Sequence, residues 1–308
     1  MDLALIENIL FAMVRTGTPL LLVALGAMVS ERSGVLNLGQ EGMILVGAAF
    51  AFIAAYLSDS MLIGVMIGVL SGGLVSLIFA FVALSLISNQ VATGLALTIF
   101  GTGLSAFVGA DYVGQSISGL GRLPIPLLSD IPLIGPALFG QDALVYLSFV
   151  LFALVFWVFR STRLGLIVRA VGENPEVAHA LGYKVLLVRY ATVVFGGAMA
   201  GLAGAYLSLA YTPMWAEGIS AGRGWIALAL VVFASWRTER ILLGAWLFGF
   251  ASILHLLLQG FGYDVPSNLL AMLPYAITIV VLVFMMSRKG ARGLFAPRSL
   301  GQPYYPPQ

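Results

Sequence analysis

The sequence has no cysteine, two histidines and few charged residues for its length. Its 308 residues include 15 Lys and Arg and 13 Asp and Glu, so that only 9% are charged. Without cysteine the chain can form neither a disulfide nor a thiolate zinc site, and it has no thiol nucleophile. His179 and His255 lie far apart and show no metal-ligand spacing. We therefore expect no metal site.

Motifs of nucleotide binding and hydrolysis are also missing. The two lysines, Lys184 and Lys289, stand in GYKV and SRKG, so neither belongs to a phosphate-binding G-x-x-x-x-G-K-S/T loop. Neither an H-E-x-x-H motif nor a paired-carboxylate arrangement occurs. We expect a chain that is not an enzyme, holds no cofactor of its own and has no nucleic-acid partner.

Apolar residues dominate what is present. Hydrophobic residues make up 60% of the chain, and the mean hydropathy is +1.03. A soluble domain, which carries about 25% charged residues, has too little interior for this much apolar surface. The 36 glycines suit membrane helices, which approach closely at small residues. The chain is predicted to be embedded in a lipid bilayer.

Apolar runs of about 20 residues, the length that crosses a bilayer, recur along the chain. We predict an all-α polytopic transmembrane bundle of about nine spans (8–10), forming a single domain over residues 1–308. The span 35–57 opens with polar residues and the span 225–236 is short, so both are candidates for broken helices. The predicted spans are 8–29, 35–57, 61–86, 88–110, 143–159, 190–210, 225–236, 241–259 and 268–286.

The distribution of Lys and Arg predicts the orientation, because cytoplasmic loops are enriched in them. Most of these residues fall inside if the loop 160–189 is cytoplasmic. The C-terminal tail, 287–308, is then cytoplasmic too, and its last residues, GQPYYPPQ, are predicted to be disordered. The N-terminus is predicted outside, although one missed span would reverse it. Five tryptophans near span ends are predicted interfacial anchors: Trp157, Trp215, Trp225, Trp236 and Trp246.

The segment 111–142 is predicted to be an external loop. It is rich in glycine and contains Pro124, Pro126, Pro132 and Pro136, so it cannot form a spanning helix. Because it is still apolar, we expect it to pack over the outer mouth of the bundle. It is either a plain connector or a docking surface for an external partner.

The cytoplasmic loop 160–189 contains a short helix with clear end signals, predicted at 175–181. Asn174 is a good N-cap, and Pro175 suits the first helical position. Gly182 stands where a helix-terminating left-handed residue belongs. A helix this short is marginal alone, so it either rests on its own protein or docks into a cytosolic motor subunit.

Under the docking hypothesis, this helix is a coupling helix. Glu173 and Glu176 place negative charge at the positive end of its dipole. Val177, Ala178 and Leu181 can form an apolar strip on it. The residues expected to couple to the motor are Gly172, Glu173, Asn174, Pro175, Glu176, Ala180 and Gly182.

Polar residues inside the predicted spans are candidates for the translocation path. Asn37 and Glu41 share a helix face, and Gln40 is displaced from it by one residue. A carboxylate within a span costs roughly 2.5–3.5 kcal/mol, so Glu41 should face protein or water. These residues lie either at the translocation path or switching hinge, or in hydrogen bonds that fix helix packing.

Three further spans carry polar candidates. Gln90 and Thr93 could line the path, although threonine in membrane helices often bonds its own backbone. Arg15 in the first span could pair with a carboxylate or lie nearer the membrane surface. His255 and Gln259, four residues apart, could form a hydrogen-bonded packing pair or a proton relay.

Four ordered stretches together resemble one family. ERSGVLNLGQEGMILVGA (31–48), GRGWIALALVVFASW (222–236) and MLPYAITIVVLV (272–283) resemble the nucleoside and simple-sugar branch of the branched-chain amino acid, ribose and nucleoside permeases of ABC importers. The segment 160–189 resembles the cytoplasmic loop of those permeases. One departure is ASWRTE (234–239), which lacks an expected glycine near 234–235 and an expected proline near 239.

The resemblance implies a permease subunit in the bacterial cytoplasmic membrane. Its implied partners are a second permease chain, identical or sister, a cytosolic ABC ATPase that holds ATP and Mg, and an external solute-binding lipoprotein. The implied solute is a small polar molecule, a nucleoside or purine base first and a simple sugar next. Two alternatives are an ion-gradient-driven secondary transporter, with Glu41 or His255 as the coupling site, and a scaffolding membrane protein.

Overall fold

The computed structural model describes residues 3–260, 272, 276, 279–280, 283 and 296–305. Over these residues the fold is all-helical, apart from two isolated bridges. The helices are α1 Leu3–Arg32, α2 Gln40–Ser58, α3 Met61–Ala80, α4 Gln90–Gly109, α5 Ile134–Phe139, α6 Ala143–Ser161, α7 Arg163–Glu173, α8 Pro175–Ala180, α9 Val185–Tyr206, α10 Arg223–Phe233 and α11 Thr238–Gly260. A π-helical turn extends α3 to Ser85 and another extends α9 to Tyr211, whereas a 3-10 turn extends α4 to Tyr112.

Six helices in the described part of the chain are long and apolar enough to cross a membrane, so the protein is a multi-pass membrane protein. They are α1, α2, α3, α4, α6 and α9, and they match the first six predicted spans. The prediction of about nine spans is not confirmed. α10, at the predicted span 225–236, has 11 residues and is about 16 Å long, roughly half of the hydrocarbon core. The predicted span 268–286 lies almost wholly outside the described residues.

α1 is the central helix of the bundle. From Val14 to Glu31 every residue except Arg15 is buried, and α1 packs against α9, α10 and α11. Small residues bring the other helices together, as the glycine content predicts. A Cβ at Gly72 of α3 would lie 2.7 Å from the Cα of Gly201 in α9, so these two backbones are in direct contact.

The segment 111–142 packs against the chain that follows α9. Gly114, Ile117 and Leu120 donate backbone hydrogen bonds to the carbonyls of Trp215, Pro213 and Leu209, at 3.0–3.1 Å. Because α9 begins beside the loop 160–189, this contact lies at the opposite end of the bundle. The anchor prediction is wrong for Trp215 and Trp236, which are buried because the loop and α1, respectively, cover them.

Arg15 of α1 lies at the same end of the bundle as the segment 111–142. It donates a hydrogen bond to the carbonyl of Ala210 at 2.7 Å. Its Nε lies 3.9 Å from Oδ2 of Asp142, the residue that caps α6 by accepting backbone hydrogen bonds from Leu144 and Val145. The charge of Arg15 inside the bundle therefore has a carboxylate beside it, one of the outcomes expected from the sequence.

The predicted disorder of GQPYYPPQ is wrong for residues 301–305, and 306–308 lie outside the described residues. Tyr304 is 6% exposed and packs into a small core with Val171, Ala178 and Val185. Turn-rich composition predicts disorder when a segment has no apolar surface to pack on. Here the loop 160–189 supplies that surface.

Candidate functional site

The chain between α1 and α2 enters the bundle without forming a helix, so the predicted span 35–57 is helical only from Gln40. The backbone N–H of Leu36 donates to Oε1 of Gln90 at 2.8 Å. The carbonyl of Leu38 accepts a hydrogen bond from Oγ1 of Thr98 at 3.0 Å. Thr98 follows Gln90 by eight residues along α4, a rise of about 12 Å. α2 therefore begins well inside the bundle.

The carboxylate of Glu41 lies at the amino end of α10. Its Oε1 accepts hydrogen bonds from Oγ of Ser220 at 2.6 Å and from the backbone N–H of Gly222 at 2.8 Å. Its Oε2 accepts from the N–H of Gly224 at 2.7 Å. These N–H groups have no partner within the helix, and the helix dipole favours an anion there. Glu41, near the start of α2, thus fixes α2 to the start of the half-length helix α10.

Gly224 allows this close contact. A Cβ at Gly224 would lie 2.6 Å from the backbone nitrogen of Glu41 and 2.7 Å from its Oε2. The two resembling stretches, 31–48 and 222–236, therefore meet in space. We call the contact of Glu41 with Ser220, Gly222 and Gly224 the half-helix junction.

Asn37 and Gln40, both buried, flank the junction. Oδ1 of Asn37 accepts from the N–H of Gly39 at 2.8 Å, and Nδ2 lies 3.7 Å from Sδ of Met43. Neither Oε1 nor Nε2 of Gln40 has a hydrogen-bond partner within the described residues. A buried amide without partners costs stability, so Gln40 is not explained by packing alone.

Gln90 and Thr93 are not part of the junction. Gln90 holds the entering chain through Leu36, as described above, and its Nε2 lies 3.5 Å from the carbonyl of Gln302. Thr93 donates to the carbonyl of Asn89 at 2.8 Å, the backbone bonding expected as the alternative. It also borders an apolar groove of about 420 Å³ between α3 and α4.

A second buried polar group lies where α1 and α10 end. Nε1 of Trp236 donates to Oε2 of Glu31 at 2.6 Å. The carbonyl of Trp236 accepts from Nη2 of Arg32 at 2.6 Å. Ser235 and Trp236 have φ values of 52° and 56°. This left-handed turn is where the sequence lacks the expected glycine.

The loop 160–189 contains the predicted short helix, α8. Oδ1 of Asn174 accepts from the N–H of Val177 at 3.0 Å, and Pro175 is the first helical residue. Gly182 follows the helix with φ 88°. The N-cap, the first position and the left-handed terminator are thus as the sequence predicts. The preceding helix α7 was not predicted from the sequence.

α8 presents an apolar surface outwards. Val177 is 54% and Leu181 69% exposed, whereas Ala178 is 1% exposed and packs on the small core with Tyr304. Of the seven residues expected to couple to the motor, five are exposed, Pro175 is half-buried and Gly172 is buried. A Cβ at Gly172 would collide with the carbonyl of Arg32. Gly172 therefore lies beneath this surface and not on it.

For several residues of this region the sequence predicted no structural or functional role. Arg189 is the last residue of the loop 160–189, which is predicted to be cytoplasmic, yet it is completely buried. It donates to the carbonyl of Ser33 at 3.2 Å and to Oγ of Ser299 at 3.2 Å. Its position directly before a predicted span was the available signal, because a charge there must find partners. Ser220 and Ser299 carry no such signal.

Some predicted positions have no structural account. The side chains of His255 and Gln259 and the segment 287–295 lie outside the described residues. Among the described residues, no three His, Asp or Glu side chains cluster so as to hold a metal ion.

Comparison with known proteins identifies the family. The family described as "Branched-chain amino acid transport system / permease component" matches residues 9–283. The chain belongs to this permease family. The resemblance seen in the four motifs is thereby confirmed, and the chain is a transport subunit.

Three relatives match the permease over nearly its whole length. A protein of Haloferax volcanii, provisionally named as a glucose ABC transporter permease, is 40% identical over 96% of this chain and 97% of its own. The nucleoside ABC transporter permease of Lactococcus lactis is 32% identical over 93% of each chain. The guanosine ABC transporter permease of Bacillus subtilis is 32% identical over 93% of this chain and 92% of its own.

Proposed function

We propose that this permease is the membrane subunit of an ATP-driven importer for a nucleoside or purine base, with a simple sugar as the second solute class. The named solutes of its relatives, nucleosides, guanosine and glucose, support this range. Each of these solutes is small, polar and rich in hydroxyl groups, and needs a protein path through lipid. In this proposal the permease lies in the bacterial cytoplasmic membrane with its C-terminus inside.

The exposed face of α8 is the observation that carries the proposal. Val177 and Leu181 extend from a helix whose ends are fixed by Asn174 and Gly182. Exposed apolar side chains on an otherwise polar loop are typical of a protein contact. We propose that a cytosolic ABC ATPase, which binds ATP and Mg, binds these two side chains. ATP binding and hydrolysis then move the loop 160–189.

The half-helix junction is the proposed gate. α2 and α10 both begin inside the bundle, and broken helices of this kind line the paths of many transporters. Glu41 and Gln40 lie where these two helices meet. In our proposal Glu41 keeps the starts of α2 and α10 together. The amide of Gln40, which has no hydrogen-bond partner among the described residues, is exposed to the solute when the path opens.

The remaining partners follow from the same proposal. A second permease chain, identical or sister, completes the path. An external solute-binding lipoprotein delivers the solute to the opposite end, where the segment 111–142 exposes Ile125, Leu127 and Ile134. Selection of the solute then lies largely with that lipoprotein.

The test is an ATPase assay on the assembled transporter. The permease is co-expressed with the candidate ATPase and binding protein from the same organism, purified, and assayed with guanosine, adenosine, glucose and ribose. We expect a nucleoside to stimulate ATP hydrolysis above the solute-free rate, and a sugar to do so under the second solute class. Absence of an associated ATPase would contradict the proposal and favour the secondary transporter.

A further inference from the structure

Residues 296–305, which we call the C-terminal strap, lie against the loop 160–189. Ser299 contacts the end of α7 twice. Its backbone N–H and its Oγ both donate to the carbonyl of Gly172, at 3.0 and 2.7 Å. Tyr304 inserts beneath α8 into the small core with Ala178. The strap is therefore fixed to the part of the permease that exposes Val177 and Leu181.

The same ten residues also hold the chain that leads to the half-helix junction. The N–H of Gly301 donates to the carbonyl of Gly34 at 3.1 Å. A Cβ at Gly34 would collide with Oγ of Ser299, so this contact leaves no gap. Gly34 lies seven residues before Glu41, in the non-helical segment that enters the bundle.

Two buried side chains complete the connection. Arg189 donates to the carbonyl of Ser33 and to Oγ of Ser299, and its Nη1 lies 3.4 Å from the carbonyl of Gln302. Gln90 contacts the same carbonyl through Nε2 and holds the N–H of Leu36 through Oε1. A continuous set of hydrogen bonds thus runs from Gly172 through the strap to Leu36.

We infer that the C-terminal strap transmits movement of the loop 160–189 to the half-helix junction. Ser299, Tyr304 and Arg189 are then positioning residues for transport. Gly172 of α7 lies directly against the carbonyl of Arg32 at the end of α1, and the strap adds contacts to Gly34 and Leu36. This inference rests on the proposed function, since it requires that a motor moves the loop.

Two adjacent tyrosines give a matched test. Tyr304 is 6% exposed and Tyr305 69% exposed. Tyr304→Ala and Tyr305→Ala are assembled with the ATPase and binding protein in proteoliposomes, and uptake and ATP hydrolysis are measured together. We expect Tyr304→Ala to lower the solute moved per ATP by about fivefold or more, the low end of typical coupling between sites. Tyr305→Ala should leave this ratio unchanged.

The amount of solute moved per ATP distinguishes a loss of coupling between ATP hydrolysis and transport from a loss of folded protein. If Tyr304→Ala lowered uptake and ATP hydrolysis in equal proportion, or left both intact, the strap would have a structural role or none, and the inference would be wrong. The wild-type protein separates the two proposals. If it shows no ATP-dependent uptake, the proposed function fails, whereas normal wild-type uptake with an unchanged ratio in Tyr304→Ala overturns the strap alone.

A cross-link provides a second test that does not depend on the tyrosine variant. A Cβ at position 301 would lie 3.9 Å from the Cβ of Leu36, close to the roughly 3.8 Å of a disulfide. Because the chain has no cysteine, Leu36→Cys with Gly301→Cys gives a single possible pair. The reduced protein is the control for the strain of a side chain at Gly301, where φ is 73°.

The cross-link has definite outcomes. We expect the disulfide to form on oxidation and uptake per ATP to equal that of the reduced protein, because the strap and residues 33–36 move as one unit. Loss of uptake on oxidation, restored by dithiothreitol, would show that the two must separate and would overturn the inference. Failure of the disulfide to form would contradict the placement of the strap.

Discussion

Oε2 of Glu41 accepts a hydrogen bond of 2.7 Å from the backbone N–H of Gly224, 183 residues further along the chain. This contact joins the start of α2 to the start of α10. It makes Glu41 both an anchor of the fold and a part of the proposed gate. Substitution of Glu41 tests its role as an anchor.

Glu41→Ala should destabilise the permease by about 1–3 kcal/mol, because the hydroxyl of Ser220 and two N–H groups would lose a buried acceptor. Glu41→Gln keeps one accepting oxygen, so we expect an intermediate loss. The melting temperature in detergent, followed by intrinsic fluorescence, measures both. Glu217→Gln, at an exposed position, is the control. An Ala variant as stable as the control would mean that the carboxylate does not cap α10.

Gly224→Ala should be at least as damaging, since its Cβ would lie 2.6 Å from a backbone atom of Glu41 that cannot rotate away. We expect low accumulation in the membrane and a lowered melting temperature. Gly103→Ala is the matched control, because a Cβ there meets nothing within 4 Å. Quantitative immunoblotting of membranes compares the two. Equal accumulation would contradict the close contact at the half-helix junction.

Ser235→Gly should stabilise the permease. Ser235 has a φ of 52°, and a left-handed conformation costs a residue with a side chain roughly 1–2 kcal/mol that glycine avoids. Ala234→Gly, at a residue whose φ is −69°, should instead destabilise the permease by roughly 0.5–1 kcal/mol. Thermal unfolding of both variants checks the signs. A lower melting temperature for Ser235→Gly would show that the turn is not strained.

Leu181→Asp should release the ATPase without unfolding the permease, because Leu181 is 69% exposed on the face proposed for docking. Ala178→Asp, on the buried face of α8, should instead destabilise the fold by placing an unpaired carboxylate in the small core. Co-purification with the ATPase and the melting temperature separate the two effects. Full retention of the ATPase by Leu181→Asp would move the docking surface elsewhere.

The sequence predicted what depends on local patterns. Six of the nine spans predicted from apolar length match membrane-length helices, with bounds that agree within five residues. Asn174, Pro175 and Gly182 defined α8. Contacts between distant residues could not be predicted in this way. The partners of Glu41 follow it by about 180 residues, and nothing in their spacing points to a carboxylate.

The packing of the C-terminal strap also could not be predicted from local sequence patterns. GQPYYPPQ has no periodicity and many turn residues, which is typical of a disordered tail. Tyr304 is nevertheless buried, because α7, α8 and α9 form a site that exists only in the folded protein. For α10 the sequence left two outcomes open, a short span or half of a broken helix, because hydropathy cannot show where a helix begins within the bundle.

The most direct test of the account is solute accumulation in proteoliposomes that contain the purified permease with its binding protein, with and without the ATPase. We predict accumulation only when the ATPase and internal ATP are present, and a loss of accumulation in Leu181→Asp. Accumulation by the permease without the ATPase, in response to a proton or sodium gradient, would contradict the account.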